Sequence, residues 1–321
     1  MHKEQTAINS IVLLRAIAAL GVCFIHIKII TGLTIDKFAD FIIDNGQQGV
    51  VIFFVISGFI LPYSLYKKSY QIKDFFIFFL KRIIRVDPPY WCSIVLFFIF
   101  IPLPISLLNI NSVFYHLMYI VPFIKNAHWF SDIYWTLSIE FQFYILLGLC
   151  YPLLIKLKNY ISVCIIISVG VLCLNYSRSG IIIGSLYQFG FGYLAFMAYV
   201  KIIEMKRFWV IIILFTTIII FSRSIISGVV PACAVLFILL YRNNNKVPVL
   251  NPIGDISYSL YLVHIPVSVI LVKLLAVYVK SPIVLFPISL ICSILFAWIF
   301  NFFIEKPVLA LSKKIVFKHA R

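Results

Sequence analysis

Long apolar runs, punctuated by short clusters of Lys and Arg, set the rhythm of this chain. A helix needs about 20 apolar residues to cross a bilayer, fewer where it is short or packed inside a bundle. Ten segments fit: 8–30, 49–66, 90–108, 133–155, 160–174, 181–200, 208–221, 225–241, 256–279 and 282–304. The seventh and eighth are parted only by Ser222, Arg223 and Ser224, so eight or nine is the alternative count. No low-complexity linker or soluble insertion interrupts the series. Residues 1–321 therefore read as a single all-α domain, a polytopic membrane protein of about ten transmembrane helices.

The basic residues test that count, because Lys and Arg accumulate in cytoplasmic loops. With both termini cytoplasmic, nineteen of the 27 Lys and Arg fall on the inner side and six on the outer, with Arg15 and Lys273 within spans. An odd number of spans would spoil the separation. Composition agrees: 63% of the 321 residues are apolar and 12% charged, about half the charge of a soluble domain. Disorder is excluded on the same ground. The net charge of +16 then needs no nucleic acid, since no basic run is long enough to form a binding stripe. The seven cysteines are scattered through apolar runs without a CxxC pair, and read as small buried hydrophobes rather than disulfides or metal ligands. The first apolar run is too long for a cleavable signal.

Ionisable groups inside spans are costly and mark functional candidates. Arg15 and His26 share the first span. Eleven residues make about three turns, placing both on one stripe about 16 Å apart along the axis. Either alone has an ordinary explanation, Arg15 snorkelling inward and His26 bonding a neighbouring helix. Together they favour a polar channel through the bundle. Glu140, in the fourth span, lies at a depth close to that expected for His26, where a carboxylate could orient an imidazole; pairing with a structural arginine is the alternative. His264 stands near Ser257, Tyr258 and Tyr261, and Pro266 two residues on offers it a purely structural role at a helix kink.

On the cytoplasmic side Lys81, Arg82 and Arg85 cluster where the chain re-enters the membrane, the two arginines on one helical face. Two guanidinium forks can grip phosphate bidentately, whereas anchoring to anionic lipid is the plainer use. Glu305 is a candidate partner for this cluster. Ser57 and Gly58 in the second span are small residues suited to close helix approach. Trp129, Tyr134 and Trp135 gather at the outer end of the fourth span, as an interfacial belt or as a platform for sugar rings. His116 and His128, in an outer loop, receive no role. No metal-ligand spacing, Walker loop or GxSxG motif is present.

Six of these segments, in order along the chain, resemble the acyltransferase 3 family of bacterial integral-membrane acyltransferases that modify cell-envelope carbohydrates. They are LLRAIAALGVCFIHI, in which Arg15 and His26 stand at the family's R-x10-H spacing, GVVIFFVISGF, RIIR, WTLSIEFQFY, ISYSLYLVHIPV and FIEKP. The resemblance implies a multi-pass protein of the bacterial inner membrane that transfers acetyl from acetyl-coenzyme A, a co-substrate rather than a bound cofactor. The acceptor would be a hydroxyl of O-antigen, another lipopolysaccharide or exopolysaccharide unit, or its lipid-linked precursor. It makes His26 the catalytic histidine, Arg15 its partner in the same span and Glu140 the family's glutamate of the catalytic set, and puts Arg82 and Arg85 at the donor, where Lys81, His264 and Tyr261 are grouped with them. Trp129, Tyr134 and Trp135 are the acceptor-side candidates. The partners expected are acetyl-coenzyme A, a carbohydrate acceptor and the bilayer. The alternatives are a flippase of glycolipid intermediates, lined by the same charges, and a lipid-modifying acyltransferase of another kind. With no hydrolase-like domain appended, the membrane module is expected to complete transfer itself or hand over to another protein.

Overall fold

A computed structural model describes residues 2–101, 109–157, 159–176, 178–241 and 247–315, with side chains from residue 9 onward. Among these residues there are fourteen α-helices and no strand: α1 (His2–Thr31), α2 (Lys37–Asp44), α3 (Gln48–Lys67), α4 (Phe75–Phe100), α5 (Ile110–Leu117), α6 (Tyr134–Lys156), α7 (Asn159–Leu172), α8 (Leu186–Tyr199), α9 (Met205–Ser222), α10 (Ile225–Leu240), α11 (Leu250–Asp255), α12 (Ser257–Leu275), α13 (Pro282–Phe300) and α14 (Lys306–Lys314). Each of the ten apolar segments falls on a helix. Among the described residues seven helical stretches are long and apolar enough to cross a membrane, while α7 and α10 are shorter apolar helices and α8 has 14 residues, most of them buried. Leu149, Val210, Phe221 and Leu295 present apolar side chains outward, as lipid-facing helices do. The protein is an all-α, multi-pass membrane protein.

Two apolar cores divide the bundle. One joins α3, α6, α7, α8, α9 and α10. The other joins α1, α4, α12, α13 and the start of α6. Helix α1 is the hinge of the arrangement, packed against α3 on one side and α11 and α12 on the other. Small residues bring α3 and α8 to backbone contact. A Cβ on Gly58 would stand 2.2 Å from the carbonyl oxygen of Phe189, and one on Gly192 would stand 2.1 Å from that of Val55. Without a hydrophobic drive between helices in lipid, such close approach is what holds them.

The third span differs from the sequence expectation. Instead of beginning at residue 90, helix α4 starts at Phe75 and runs unbroken through the KRIIRVDPP segment. Residues 102–108, the expected end of this span, lie outside the described residues. Pro88 and Pro89, each without an N–H to donate, lie inside this helix. The Tyr258 hydroxyl of α12 donates to the Val86 carbonyl just before them at 2.8 Å. Buried Asp87 next to them accepts from the Tyr119 hydroxyl at 3.0 Å. Arg82 and Arg85 are therefore carried on a continuous helix, not on a loop.

Candidate functional site

Where α1, α3, α4, α6 and α12 converge, they enclose a cavity of about 550 Å³. Its wall takes Arg15 from α1, Ser57, Ser64 and Lys67 from α3, with Lys68 following, Arg82 and Arg85 from α4, Thr136, Glu140 and Tyr144 from α6, and Tyr258 and Tyr261 from α12; Glu305 joins them. Five cationic side chains face two carboxylates, a surplus suited to a polyanion. The three-residue spacing of Arg82 and Arg85 does what a helical face requires, turning both guanidinium groups to the same space. The Arg82 guanidinium lies over the rings of Phe78 and Tyr144, 5.5 and 6.0 Å from their centroids, and its Nε is buried without a hydrogen-bond partner among the described residues. Lys68, at the rim, is partly buried and stands near Lys81 and Arg82, which together pull its pKa down to about 8.

The two carboxylates are held differently. Glu140 accepts the Ser57 hydroxyl at 2.7 Å. Glu305 closes a π-turn, Asn301–Glu305, and one of its oxygens accepts from the Ser259 hydroxyl at 2.5 Å, the Ser259 backbone N–H at 3.2 Å and the Asn301 amide at 2.8 Å. Single π-turns inside α-helices recur at functional sites because the extra residue redirects a side chain. Here the redirected group is a carboxylate brought to an arginine-lined wall.

A second cluster sits beyond the wall. The Nδ1 of His26 is 2.9 Å from the Val22 carbonyl and 3.1 Å from Nε2 of His264, whose own Nδ1 is 3.0 Å from the Leu260 carbonyl. The rings lie 5.1 Å apart at 41°. His264 is wholly buried and His26 half-buried. The charge of Asp132, exposed just before α6, also acts on His26. Tyr261 separates the two regions: it lines the cavity, its ring centroid lies 6.1 Å from that of His264, and its hydroxyl meets Thr136 Oγ1 at 2.7 Å and the Ile133 carbonyl at 3.1 Å. His26 is not part of the cavity wall.

Several expected placements change. Glu140 is beside Ser57 and not beside His26, so the group that contacts the imidazole is His264. His264 was grouped with the donor arginines and lies instead behind Tyr261, outside the cavity wall. Nor does it satisfy the Pro266 kink, which frees the carbonyl four residues earlier, at Leu262, whereas His264 bonds that of Leu260. Lys81 turns away from the cavity and donates to the Ile315 carbonyl at 3.0 Å. Tyr134 is fully buried with its hydroxyl 3.2 Å from Ser93 Oγ and fills the interior instead of facing outward as a belt or platform, while Trp135 is partly buried against the first apolar core. Trp129 is half-buried, edge-on to His116. His116 itself pins the outer loop: its Nδ1 donates to the Ser112 carbonyl at 2.7 Å, its Nε2 accepts from the Phe130 N–H at 3.0 Å, and burial depresses its pKa to about 4. Thr136 and Lys68 entered the site without a signal in the sequence, Lys68 because a lysine ending a span looks like ordinary inner-side anchoring, while Tyr258, noted only as a neighbour of His264, lines the cavity.

A lipid-facing helical bundle encloses a cationic cavity, and an imidazole pair lies beyond its wall. Residues 8–302 match the family model of the Acyl_transf_3 acyltransferase domain, and the chain belongs to that family: it is a membrane acyltransferase. No curated protein and no solved structure matches it.

Proposed function

We propose that this protein is an O-acetyltransferase of the bacterial inner membrane that moves acetyl from acetyl-coenzyme A to a hydroxyl of a cell-envelope polysaccharide or its lipid-linked precursor. The observation that carries this reading is the shared stripe of α1, which links an arginine-lined cavity at Arg15 to an imidazole at His26. Arg82 and Arg85 supply guanidinium forks for the donor's phosphates, and Arg15 and Lys68 add charge to the same wall. The acyl arm then extends along α1 toward Tyr261 and the imidazoles beyond it.

A sugar hydroxyl is a poor nucleophile at neutral pH, so transfer needs a base within hydrogen-bond reach. His26 fills that role. The hydroxyl proton passes to the imidazole as the new C–O bond forms and the C–S bond of the thioester breaks, and the imidazolium returns the proton to the departing thiolate. Trp129 and Asp132, near the start of α6, are the acceptor-side candidates on this reading. The test is incubation of membranes containing the protein with radiolabelled acetyl-coenzyme A, followed by sugar analysis of the product. Label in an O-acetyl sugar supports the proposal. Label in lipid acyl groups alone, or movement of glycolipid without acetylation, overturns it.

A further inference from the structure

We infer that His264 is the positioning residue that fixes the proton of His26 on Nδ1, leaving Nε2 of His26 as the atom that takes up the acceptor's proton. The inference deepens the reading above and rests on it for the identity of the reaction.

The assignment follows from what each neighbour can do. The Leu260 carbonyl can only accept, so the His264 nitrogen 3.0 Å away, Nδ1, carries a hydrogen. His264 is wholly buried, and a neutral imidazole has one N–H, which leaves a lone pair on its Nε2. That lone pair faces Nδ1 of His26 at 3.1 Å, a hydrogen-bond distance only if His26 supplies the proton. The Val22 carbonyl, 2.9 Å from the same nitrogen, makes the same demand. The opposite tautomer would set three lone-pair-bearing atoms against one another in a buried space. Nε2 of His26 makes no hydrogen bond to the protein among the described residues, and is left as the basic nitrogen.

His264 thus does for His26 what a carboxylate does in a hydrolytic triad, selecting the tautomer and receiving the Nδ1 hydrogen as the ring becomes cationic. Glu140 is committed to Ser57. A neutral acceptor also suits this place, because a second buried charge would cost heavily in desolvation. Of the charged groups around the pair, Asp132 acts on His26 from the start of α6. It is exposed, and so it does not set the tautomer from within the bundle.

Two measurements test this on the full-length protein in lipid nanodiscs. In His264→Leu, kcat for transfer from acetyl-coenzyme A should fall about a hundredfold with the donor KM unchanged. His264→Gln, whose side-chain oxygen can accept from Nδ1–H, should recover at least tenfold of that loss. The acid limb of the pH profile should move in the Leu variant and less in the Gln variant. Equal activity of wild type and His264→Leu, or equal loss in both variants, overturns the inference. Nitrogen-15 solid-state NMR of the histidine-labelled wild type reads the tautomer without any variant, and a proton on Nε2 of neutral His26 overturns it as well. If the wild type releases no thiol from acetyl-coenzyme A, the acetyl-transfer reading fails, while the NMR result still decides the tautomer.

Discussion

The arginine cavity and the imidazole pair are built on opposite plans. The cavity draws on five long helices, is crowded with like charge, and leaves the Arg82 Nε without a hydrogen-bond partner among the described residues. The imidazole pair needs only α1 and α12, holds its ring hydrogens in short bonds to backbone and to each other, and is largely shielded. Unsatisfied donors and mutual repulsion are costly, and they persist where a ligand completes them. Satisfied, low-charge groups persist where geometry must not drift. One region is organised for binding and the other for holding an atom in place.

The largest way to break this contrast is His26→Ala. It should reduce acetyl transfer about a thousandfold while donor binding and membrane insertion stay intact, measured by product formation beside coenzyme A binding. The cavity should fail in the opposite manner. Arg82→Ala combined with Arg85→Ala should raise the acetyl-coenzyme A KM on the order of a hundredfold with a smaller change in kcat, read from initial rates across donor concentration. Gly58→Ala tests whether the scaffold is separable from both, since its new methyl meets the Phe189 carbonyl. A loss of about 1–3 kcal/mol in stability is expected, seen as a lower unfolding midpoint in detergent. The smallest effect concerns Lys68. Its ammonium is charged below pH about 8 and neutral above it, so the donor KM should rise severalfold between pH 7 and 9 in the wild type. In Lys68→Met that rise should flatten.

How much of this could be read from the chain depends on whether a feature lives along one helix or between two. Arg15 and His26 share a face because eleven residues close three turns, and any α-helix imposes that. The helical path of α4 continues through Pro88 and Pro89, residues that ordinarily interrupt a helix, and the packing of α4 against α12 and α14 is not written in its local sequence. Counting along a span gives height but not azimuth. Glu140 was therefore set at the level of His26 with no means of telling that its side faces Ser57. The contact between His26 and His264 joins residues 238 apart and depends on how α1 packs on α12, which no local pattern encodes. Tyr134 and Trp135 show the same limit from the apolar side, since an aromatic at a helix end looks alike whether it meets headgroups or the core.

The Tyr261–Thr136 contact bears on leakage as well as on catalysis. A bilayer stores a proton gradient, and a bundle carrying arginines at one level and imidazoles at another offers stepping stones for its discharge. Tyr261 stands between these two levels, its hydroxyl bonded to Thr136 and to the Ile133 carbonyl. Any enzyme that works across the depth of a membrane must limit leakage as well as catalyse, and this phenol ring stands where such a limit would act.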